Sequence, residues 1–403
     1  MNSNLDKLQP YPFERLAELK SGIVPPSHLN HISLSIGEPK HPAPEFVKQV
    51  IKESIDSIGS YPTTKGTPEL RDAISLWLQN RFQLGTGAIN PESQVLPVCG
   101  TREAIFAFTQ AMVSPAAASE APVVVSPNPF YQIYEGAGLL AGAEVVYLNC
   151  TVENNFMPDL MNVPAEIWQR CQLLHLCSPG NPTGVVMPLE KLQQAILLAD
   201  KYDFIIACDE CYSEVYLEPT APPPGLLQAC NEMGRLDFSR CVVFHSLSKR
   251  SNLPGLRSGF IAGDQHLIQQ FLRYRTYHGC SMSLPTQKAS AAAWSDEQHT
   301  IENRALYRSK FDTVTSILSS HLNFPKPEAS FYLWAETPID DSLFAQKLYA
   351  QQNVTLLPGQ FLSRHASNIN PGQHRVRMAL VADADECVEA ALRIVQFVDS
   401  LKR

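Results

Sequence analysis

One short polar stretch of the chain carries residue types that could hold an aldehyde and a phosphate together. It follows the apolar run 241–244, which predicts a buried strand, and contains Ser246, Ser248, Lys249 and Arg257. Polar residues after such a strand lie where α/β sheets place their chemistry. A lysine amine can form a Schiff base with an aldehyde, while two hydroxyls and a guanidinium can bind a phosphate dianion. These groups together point to pyridoxal 5′-phosphate, although a lysine in a polar loop is more often a solvated surface charge.

A carboxylate ends a second apolar run, 204–208. Asp209 would be costly to bury there without a cationic partner. A protonated pyridine nitrogen is such a partner, and the charge pair keeps the ring electron-withdrawing. Tyr212, three residues further on, can reach a hydroxyl group on the same ring.

Two further segments could contact a flat, phosphorylated ring. Gly100, Thr101 and Arg102 lie at the start of a predicted helix, whose first N–H groups could bind a phosphate. A glycine before a helix is also common where no ligand binds. Tyr131 follows another predicted strand and could stack on the ring, with Phe130 as its nearest rival. Ordinary core packing is the alternative for either aromatic residue.

Three turn residues and one strand complete the candidates. Gly37 would let the backbone approach a ligand closely, Asn181 is the one side-chain amide of the loop 178–184, and Tyr61 lies in a loop between two predicted helices. From spacing alone, each of these three residues could equally well stabilise only the turn or loop in which it lies. Near the C-terminus the strand-like run 375–380 contains two arginines, either of which could bind a carboxylate through two parallel hydrogen bonds: Arg375 and Arg377.

In their order along the chain, these motifs resemble the fold-type I, class I/II aminotransferases that depend on pyridoxal phosphate. The resemblance covers nearly the whole chain. It depends on SIGEP at 35–39, SPGNPTG at 178–184, DExY at 209–212, SxSK at 246–249 and PGxRxG at 254–259.

The resemblance implies a role for each candidate residue. Lys249 holds the cofactor aldehyde and moves a proton, Asp209 pairs with the ring nitrogen, and Asn181 and Tyr212 contact the ring oxygen. The stacking aromatic is Tyr131. The phosphate contacts are Gly100, Thr101, Arg102, Ser246, Ser248 and Arg257.

The family pattern also implies the substrate contacts and a partner. Arg377, rather than Arg375, holds the substrate α-carboxylate, together with Gly37 and Asn181. Tyr61 would reach the cofactor phosphate of a neighbouring subunit, so we expect a homodimer.

These elements require an α/β scaffold of two parts. We expect the pyridoxal-phosphate-dependent transferase fold type I, with a mostly parallel sheet flanked by helices in a large domain and a smaller α+β domain. The expected division is an N-terminal arm that belongs partly to the small domain (1–45), a large cofactor-binding domain (46–295) and a small C-terminal domain (296–403).

Bulk composition excludes several other classes of protein. The 403 residues are 44% hydrophobic and 18% charged, and the net charge is −8 without runs of like charge. Neither nucleic acid nor a membrane is therefore an expected partner, and we expect a cytoplasmic protein. Cys208 and Cys211 form a CxxC, but no second pair completes a zinc site, so we expect no metal. The run 136–141 resembles a dinucleotide fingerprint but lacks the strand and helix that it needs.

Within the family, the segments 34–42 and 126–138 are most similar to bacterial succinyldiaminopimelate aminotransferases. This resemblance implies amino transfer between glutamate/2-oxoglutarate and N-succinyl-L,L-diaminopimelate/N-succinyl-2-amino-6-oxopimelate, in lysine and diaminopimelate biosynthesis. Basic candidates for the distal carboxylate are Lys40, Lys65 and Arg275. Aspartate, aromatic or kynurenine aminotransferases, a β-C–S lyase and a catalytically silent binding protein on the same fold are the alternatives.

Overall fold

A seven-stranded sheet forms the centre of the molecule in the computed structural model, which describes residues 2–114 and 120–402. The strands in chain order are β1 (Ile32–Ser33), β2 (Val95–Val98), β3 (Val123–Asn128), β4 (Glu144–Asn149), β5 (Cys171–Cys177), β6 (Ile205–Asp209), β7 (Cys241–Ser246), β8 (Gly259–Gly263), β9 (Tyr332–Glu336), β10 (Val354–Thr355), β11 (Leu357–Pro358) and β12 (Arg375–Ala379). The order across the large sheet is β2-β8-β7-β6-β5-β3-β4. Only β8 of this sheet runs antiparallel to its neighbours, so the sheet is mostly parallel and the predicted fold class is confirmed.

Helices cover both faces of this sheet. In chain order the helices are α1 (Pro12–Leu19), α2 (Glu45–Ser54), α3 (Pro68–Phe82), α4 (Thr101–Met112), α5 (Gln132–Leu140), α6 (Ala165–Arg170), α7 (Leu189–Tyr202), α8 (Leu226–Glu232), α9 (Leu247–Arg250), α10 (Gln265–His278), α11 (Leu284–Ser295), α12 (Gln298–Leu318), α13 (Asp341–Gln352) and α14 (Ala384–Leu401). Successive strand residues face opposite sides of a sheet. Val123 and Val125 accordingly join the core beneath α3 and α7, while Val124 joins the core beneath α4 and α10.

The C-terminal part of the chain builds a second core. Strands β9, β11 and β12 form an antiparallel sheet that packs with α12, α13 and α14. The N-terminal strand joins this part, because Ile32 pairs with Val354 and the carbonyl of Leu34 accepts a hydrogen bond from Ala379. No helix within residues 2–114 and 120–402 is both long enough and apolar enough to cross a membrane.

The parallel strands bring the polar segments to one edge of the large sheet. The carboxyl ends of β5, β6 and β7 are in register there, since Cys177 pairs with Asp209 and Asp209 pairs with Phe244. Residues that follow these strands therefore lie side by side, and the loop that contains Asn181 adjoins Asp209 and the segment of Lys249.

Candidate active site

Lys249 lies just past the end of β7, on the four-residue helix α9 rather than in the loop that the sequence predicted. The Ser246 side chain caps this helix by accepting a hydrogen bond from the backbone N–H of Ser248 at 3.1 Å. Lys249 Nζ donates to the carbonyl of Gly37 at 2.6 Å and lies 5.2 Å from the ring centroid of Phe331. Burial lowers the pKa of the Lys249 amine to about 8. More of this amine is therefore neutral near pH 7 than of an exposed lysine.

Asp209 ends β6 as a buried carboxylate with only 5% of its surface exposed. Its Oδ2 accepts a hydrogen bond from the Tyr134 hydroxyl at 2.7 Å, and its Oδ1 accepts one from the backbone N–H of Cys211 at 3.2 Å. Both donors are neutral. The carboxylate is thus fixed in orientation, and a cationic ligand group would stabilise its charge.

The start of α4 and the side chain of Arg257 form one half of an anion cradle. Gly100 caps the helix with a φ of 91°, and a Cβ at this position would lie 2.9 Å from Cζ of Arg257 and closer still to its Nη2. A side chain here would fill the space that the guanidinium occupies. The first N–H groups of α4, from Thr101 onward, and the guanidinium of Arg257 therefore adjoin one another.

Two hydroxyls from the end of β7 form the other half of the cradle. Ser246 Oγ donates to Ser248 Oγ at 2.9 Å. A Cβ on Gly259 would lie 3.4 Å from Thr101 Cγ2 and 3.5 Å from Ser246 Cα, so both halves meet at this glycine. Helix N–H groups, hydroxyls and a guanidinium are the donors that a phosphate dianion requires.

The structure separates the two rival aromatic residues. Phe130 is buried and stacks on Tyr147, with ring centroids 5.4 Å apart, so it is a packing residue. Tyr131 lines the cavity beside Asp209 and Lys249, and its hydroxyl accepts a hydrogen bond from Arg102 Nε.

Arg102 directs its side chain away from the cradle. Its Nη2 donates to the Tyr11 hydroxyl at 3.2 Å, and its Cζ lies 5.9 Å from the Tyr11 ring and 5.6 Å from the Tyr131 ring. These partners are neutral phenols that carry no compensating negative charge. As the second residue of α4, Arg102 also carries one of the first N–H groups of that helix, and the residue lines the cavity.

Arg377 and Asn181 contact each other at the cavity that Lys249 also lines. Arg377 Nη1 donates to Asn181 Oδ1 at 3.0 Å, and Nη2 donates to the carbonyl of Ser35 at 2.7 Å. Its Nε is buried without a hydrogen-bond partner among the described residues. Arg375 lies elsewhere, 4.9 Å above the ring of Phe156.

Gly37 approaches the site so closely that a side chain would not fit. A Cβ on Gly37 would lie 2.8 Å from Cζ of Tyr332 and would collide with its hydroxyl. That hydroxyl shares a hydrogen bond of 3.1 Å with Tyr212. Burial raises the pKa of the Tyr212 hydroxyl well above its ordinary value, so Tyr212 is a hydrogen-bond donor at neutral pH.

Many of these residues line a cavity of about 160 Å³, whereas Gly100, Ser246, Ser248 and Arg257 of the cradle are not among its lining residues. Its lining includes Tyr11, Gly37, Thr101, Arg102, Tyr131, Asn181, Asp209, Tyr212, Lys249, Tyr332 and Arg377. A larger cleft of about 1100 Å³ lies along residues 217–224 and contains none of the predicted site residues. We assign the chemistry to the smaller cavity, because the lysine, carboxylate and arginine meet there.

Several sequence candidates lie outside this cavity. Tyr61 is fully exposed, so its action in a neighbouring subunit stays a prediction. Arg275 is buried in an ion pair with Glu103 at 2.5 Å, Lys65 pairs with Glu92, and Lys40 lies 3.7 Å from Glu386. None of these three cations lines the cavity of its own subunit, so a role for one of them at a distal carboxylate stays a prediction.

The ligand types of a metal site do meet near α4, in a place that the sequence did not indicate. Atoms of Glu103, His278 and Cys280 lie within 4.8 Å of one another. Arg275 Nη1 donates a hydrogen bond to Oε1 of Glu103 at 2.5 Å. We therefore interpret Glu103 as the partner of Arg275 rather than as a metal ligand. In the CxxC segment, Cys208 is a core residue and Cys211 Sγ lies 3.0 Å from Thr101 Oγ1.

Tyr11, Tyr134, Tyr332 and Ser35 were missed from the sequence. Tyr134 follows Tyr131 by three residues, but nothing in that spacing indicates that its hydroxyl reaches Asp209. Tyr332 and Ser35 belong to segments whose contact with the large sheet depends on tertiary packing. Tyr11 lies in the N-terminal arm, and no local feature of the sequence indicates that it reaches Arg102.

Comparisons with known proteins agree with this geometry. The aminotransferase class I and II family matches residues 30–394. The curated LL-diaminopimelate aminotransferase 2 of Nostoc sp. is 30% identical over 397 residues, which cover 97% of this chain and 96% of that protein. The LL-diaminopimelate aminotransferase of Nitratidesulfovibrio vulgaris (strain DSM 19637 / Miyazaki F) is 29% identical, with 97% of each chain covered.

Solved structures give the same result. An aminotransferase from Neisseria meningitidis Z2491 is 48% identical, covers 100% of both chains and superposes with a TM-score of 0.94. The aminotransferase AspB from Helicobacter pylori 26695 is 35% identical over 97% of this chain and 99% of that chain, with a TM-score of 0.89. With the family match spanning most of its length, the chain belongs to the class I and II aminotransferases, whose cofactor is pyridoxal 5′-phosphate.

Proposed function

We propose that this aminotransferase moves an amino group between glutamate/2-oxoglutarate and N-succinyl-L,L-diaminopimelate/N-succinyl-2-amino-6-oxopimelate, in lysine and diaminopimelate biosynthesis. The observation that carries the reaction type is the convergence of a buried amine, a buried carboxylate and a carboxylate-binding arginine on one cavity: Lys249, Asp209 and Arg377. The residues present fit pyridoxal phosphate. The cradle provides the phosphate donors, and the neutral donors around Asp209 favour a cationic ring nitrogen as its partner.

The cofactor, when bound, holds the substrate through its amino nitrogen and withdraws electrons from the α-carbon. The amine of Lys249 would take the proton from the substrate α-carbon and would deliver it to the carbon that had been the aldehyde carbon of the cofactor. Its lowered pKa of about 8 suits both steps, because the amine accepts and releases a proton near neutral pH.

Other residues of the chain bind and orient. Asp209 holds the positive charge on the ring nitrogen, and Tyr131 covers one face of the ring. Arg377 binds the substrate α-carboxylate through its fork of N–H groups, and Asn181 holds that fork at 3.0 Å. Tyr212 donates a hydrogen bond to the ring oxygen.

Two observations support a substrate with a second carboxylate. The curated relatives that match this chain over nearly its full length are named LL-diaminopimelate aminotransferases. Arg102 lines the cavity, and its guanidinium is bound by the phenols of Tyr11 and Tyr131 among the described residues. A distal carboxylate would supply the negative charge that these partners lack.

A half-reaction tests the proposal. The purified enzyme, loaded with pyridoxal phosphate, is mixed with one amino acid at a time, and the absorption band of the bound cofactor is followed. We expect glutamate and N-succinyl-L,L-diaminopimelate to convert the band, and aspartate and phenylalanine to leave it unchanged. Conversion of the band by free L,L-diaminopimelate, but not by the succinylated compound, would contradict the proposed substrate. Conversion by aspartate alone would indicate an aminotransferase with a different substrate.

We also propose a cytoplasmic homodimer in which Tyr61 completes the phosphate site of the partner. The support is the full exposure of Tyr61 in its own chain. Mixing Tyr61→Ala with Lys249→Ala subunits would create hybrid dimers with one intact site. We expect the mixture of the two variants to be more active than either variant alone. If light scattering shows that the fully active wild-type protein is a monomer, the proposal is contradicted.

A further inference from the structure

The C-terminal end of α9 is held by a side chain from far along the chain. Asn303, on α12, directs its Nδ2 at the carbonyl oxygens of Lys249, at 3.4 Å, and of Arg250, at 3.2 Å. The last carbonyls of a helix have no intrahelical donors, and α9 is only four residues long. Asn303, which is 5% exposed, supplies the donors that this short helix lacks.

The orientation of the Asn303 amide follows from its partners. Backbone carbonyls only accept hydrogen bonds, so Nδ2 must face them and Oδ1 must face away. Oδ1 lies 2.8 Å from Asn252 Nδ2 and 2.9 Å from His41 Nδ1. Since Oδ1 only accepts, the proton of His41 is on Nδ1. Burial lowers the pKa of His41, which favours the neutral ring in this tautomer at pH 7.

His41 belongs to the same short segment as Gly37, whose carbonyl accepts the hydrogen bond from Lys249 Nζ at 2.6 Å. The segment 37–41 is therefore connected to Lys249 twice. One connection is at the amine itself, and the other runs through Asn303 to the backbone carbonyl of Lys249.

A second, aromatic route joins the same two ends. The ring of His41 lies 4.6 Å from that of Tyr307, and Tyr307 stacks on Phe331 at 5.6 Å. Phe331 in turn lies beneath Lys249 Nζ, at 5.2 Å. Displacing His41 would disturb both the hydrogen-bonded and the packed support of the amine.

We propose that Asn303 and His41 are positioning residues for Lys249, which fix α9 and the segment 37–41 so that the amine points into the cavity. They line no part of the cavity and act through Lys249. The inference rests on the proposed role of Lys249. Misplacing a reacting group by about 1 Å can cost about 100-fold in rate, so this support is large enough to matter.

Asn303→Ala tests the hydrogen-bonded support, and Gln298→Ala is its matched control. Gln298 is on the same helix and bonds only the exposed side chain of Glu302, at 2.9 Å. We expect Asn303→Ala to lower kcat by about 10- to 100-fold with KM nearly unchanged, and Gln298→Ala to resemble the wild type. An Asn303→Ala protein that unfolds at the wild-type temperature and turns over like the control would overturn the proposal.

Two variants of His41 test the proposal independently, in case Asn303→Ala does not fold. His41→Leu removes the donor to Asn303 Oδ1, whereas His41→Gln can replace it with an amide N–H. We expect His41→Leu to lose activity by about 10-fold and His41→Gln to retain most of it. Equal activity of the two variants would contradict the proposal, whatever the fate of Asn303→Ala.

A measurement without cofactor separates this inference from the proposed function. Acetic anhydride labels Lys249 in the cofactor-free protein over a range of pH, and mass spectrometry quantifies the labelled peptide. Cys211, Arg377, Glu38 and Arg102 act on this amine and stay the same in every variant. We expect Asn303→Ala and His41→Leu to label at a higher apparent pKa, because a released amine is better solvated. An unchanged profile would overturn the positioning role, while the half-reaction tests the substrate independently.

Discussion

The hydroxyl of Tyr134 donates a hydrogen bond to Oδ2 of Asp209 at 2.7 Å, across the boundary between α5 and the end of β6. Tyr134 is itself held by His175, whose ring stacks on it at 4.8 Å. The carboxylate that we propose as the partner of the cofactor ring is thus oriented by a phenol that is not among the residues lining the cavity.

Tyr134→Phe should weaken cofactor binding by about 10-fold, because a hydrogen bond to a charged group contributes about 1.5–3 kcal/mol. Tyr147→Phe is a suitable control, since the Tyr147 hydroxyl also donates to a carboxylate, that of Glu135 at 2.6 Å, outside the cavity. Titration of the cofactor-free variants with pyridoxal phosphate measures the difference. Equal affinities of the two variants would show that the orientation of Asp209 does not depend on Tyr134.

Gly100→Ala should disrupt the phosphate cradle. The backbone φ of 91° strains any other residue, and the added Cβ would displace the guanidinium of Arg257. We expect an affinity for pyridoxal phosphate about 5- to 100-fold lower, since such strain costs about 1–3 kcal/mol. Gly255→Ala is the control, because a Cβ there meets no atom within 4 Å. If both variants bind the cofactor equally well, the cradle is placed wrongly.

Arg377→Lys should lower kcat/KM for glutamate by about 100-fold, because an ammonium group cannot form two parallel hydrogen bonds with a carboxylate. The change is expected mainly in KM. Arg375→Lys, on the same strand, should remain close to the wild type. A large loss in the Arg375 variant instead would exchange the roles of the two arginines.

Arg102→Met should discriminate between substrates by their distal group. We expect KM to rise about 10-fold for glutamate and N-succinyl-L,L-diaminopimelate, whereas alanine, which has one carboxylate, should react as slowly as before. Tyr11→Phe keeps the ring and removes only the acceptor for Arg102, so its effect should be smaller. A uniform loss for all three amino acids would assign Arg102 to the cofactor alone.

The lowered pKa of Lys249 predicts a pH dependence of stability in the cofactor-free protein. Because its folded-state pKa of about 8 is below the ordinary lysine pKa of 10.5, the unfolded chain binds more protons between these values. The unfolding free energy should therefore gain from this group as pH rises from 8 to 10.5. Lys249→Met removes that gain, so its stability advantage over the wild type should shrink with pH in urea titrations. An advantage that is constant with pH would contradict the lowered pKa.

The strand-end residues of the site could be predicted from the sequence. Asn181, Asp209 and Lys249 each follow an apolar run, and the parallel order of β5, β6 and β7 brings such positions together. The resemblance to a family then suggested a role for each residue. The fold class and the cofactor could be predicted on the same basis.

The supporting contacts could not be predicted in this way. Asn303 reaches Lys249 across 54 positions, and Arg102 reaches Tyr11 across 91. Such pairs depend on how α12 and α1 pack against the large sheet, which hydrophobic spacing does not specify. The surroundings of the three basic candidates for a distal carboxylate could not be predicted for the same reason, since the spacing of Arg275 gave no sign of its burial against Glu103.

The one antiparallel strand of the large sheet has a consequence for how the lysine segment could be engineered. Ser246 at the end of β7 pairs with Gly259 at the start of β8, and the N–H of Leu247 donates to the carbonyl of Ser258 at 3.1 Å. The segment 247–258 therefore begins and ends at paired positions, while Arg250 within it donates hydrogen bonds to the carbonyls of Ala293 and Asp296. A replacement whose ends still pair would keep the register of the sheet, but it would keep the site only if it retains Ser248, Lys249, Arg250 and Arg257.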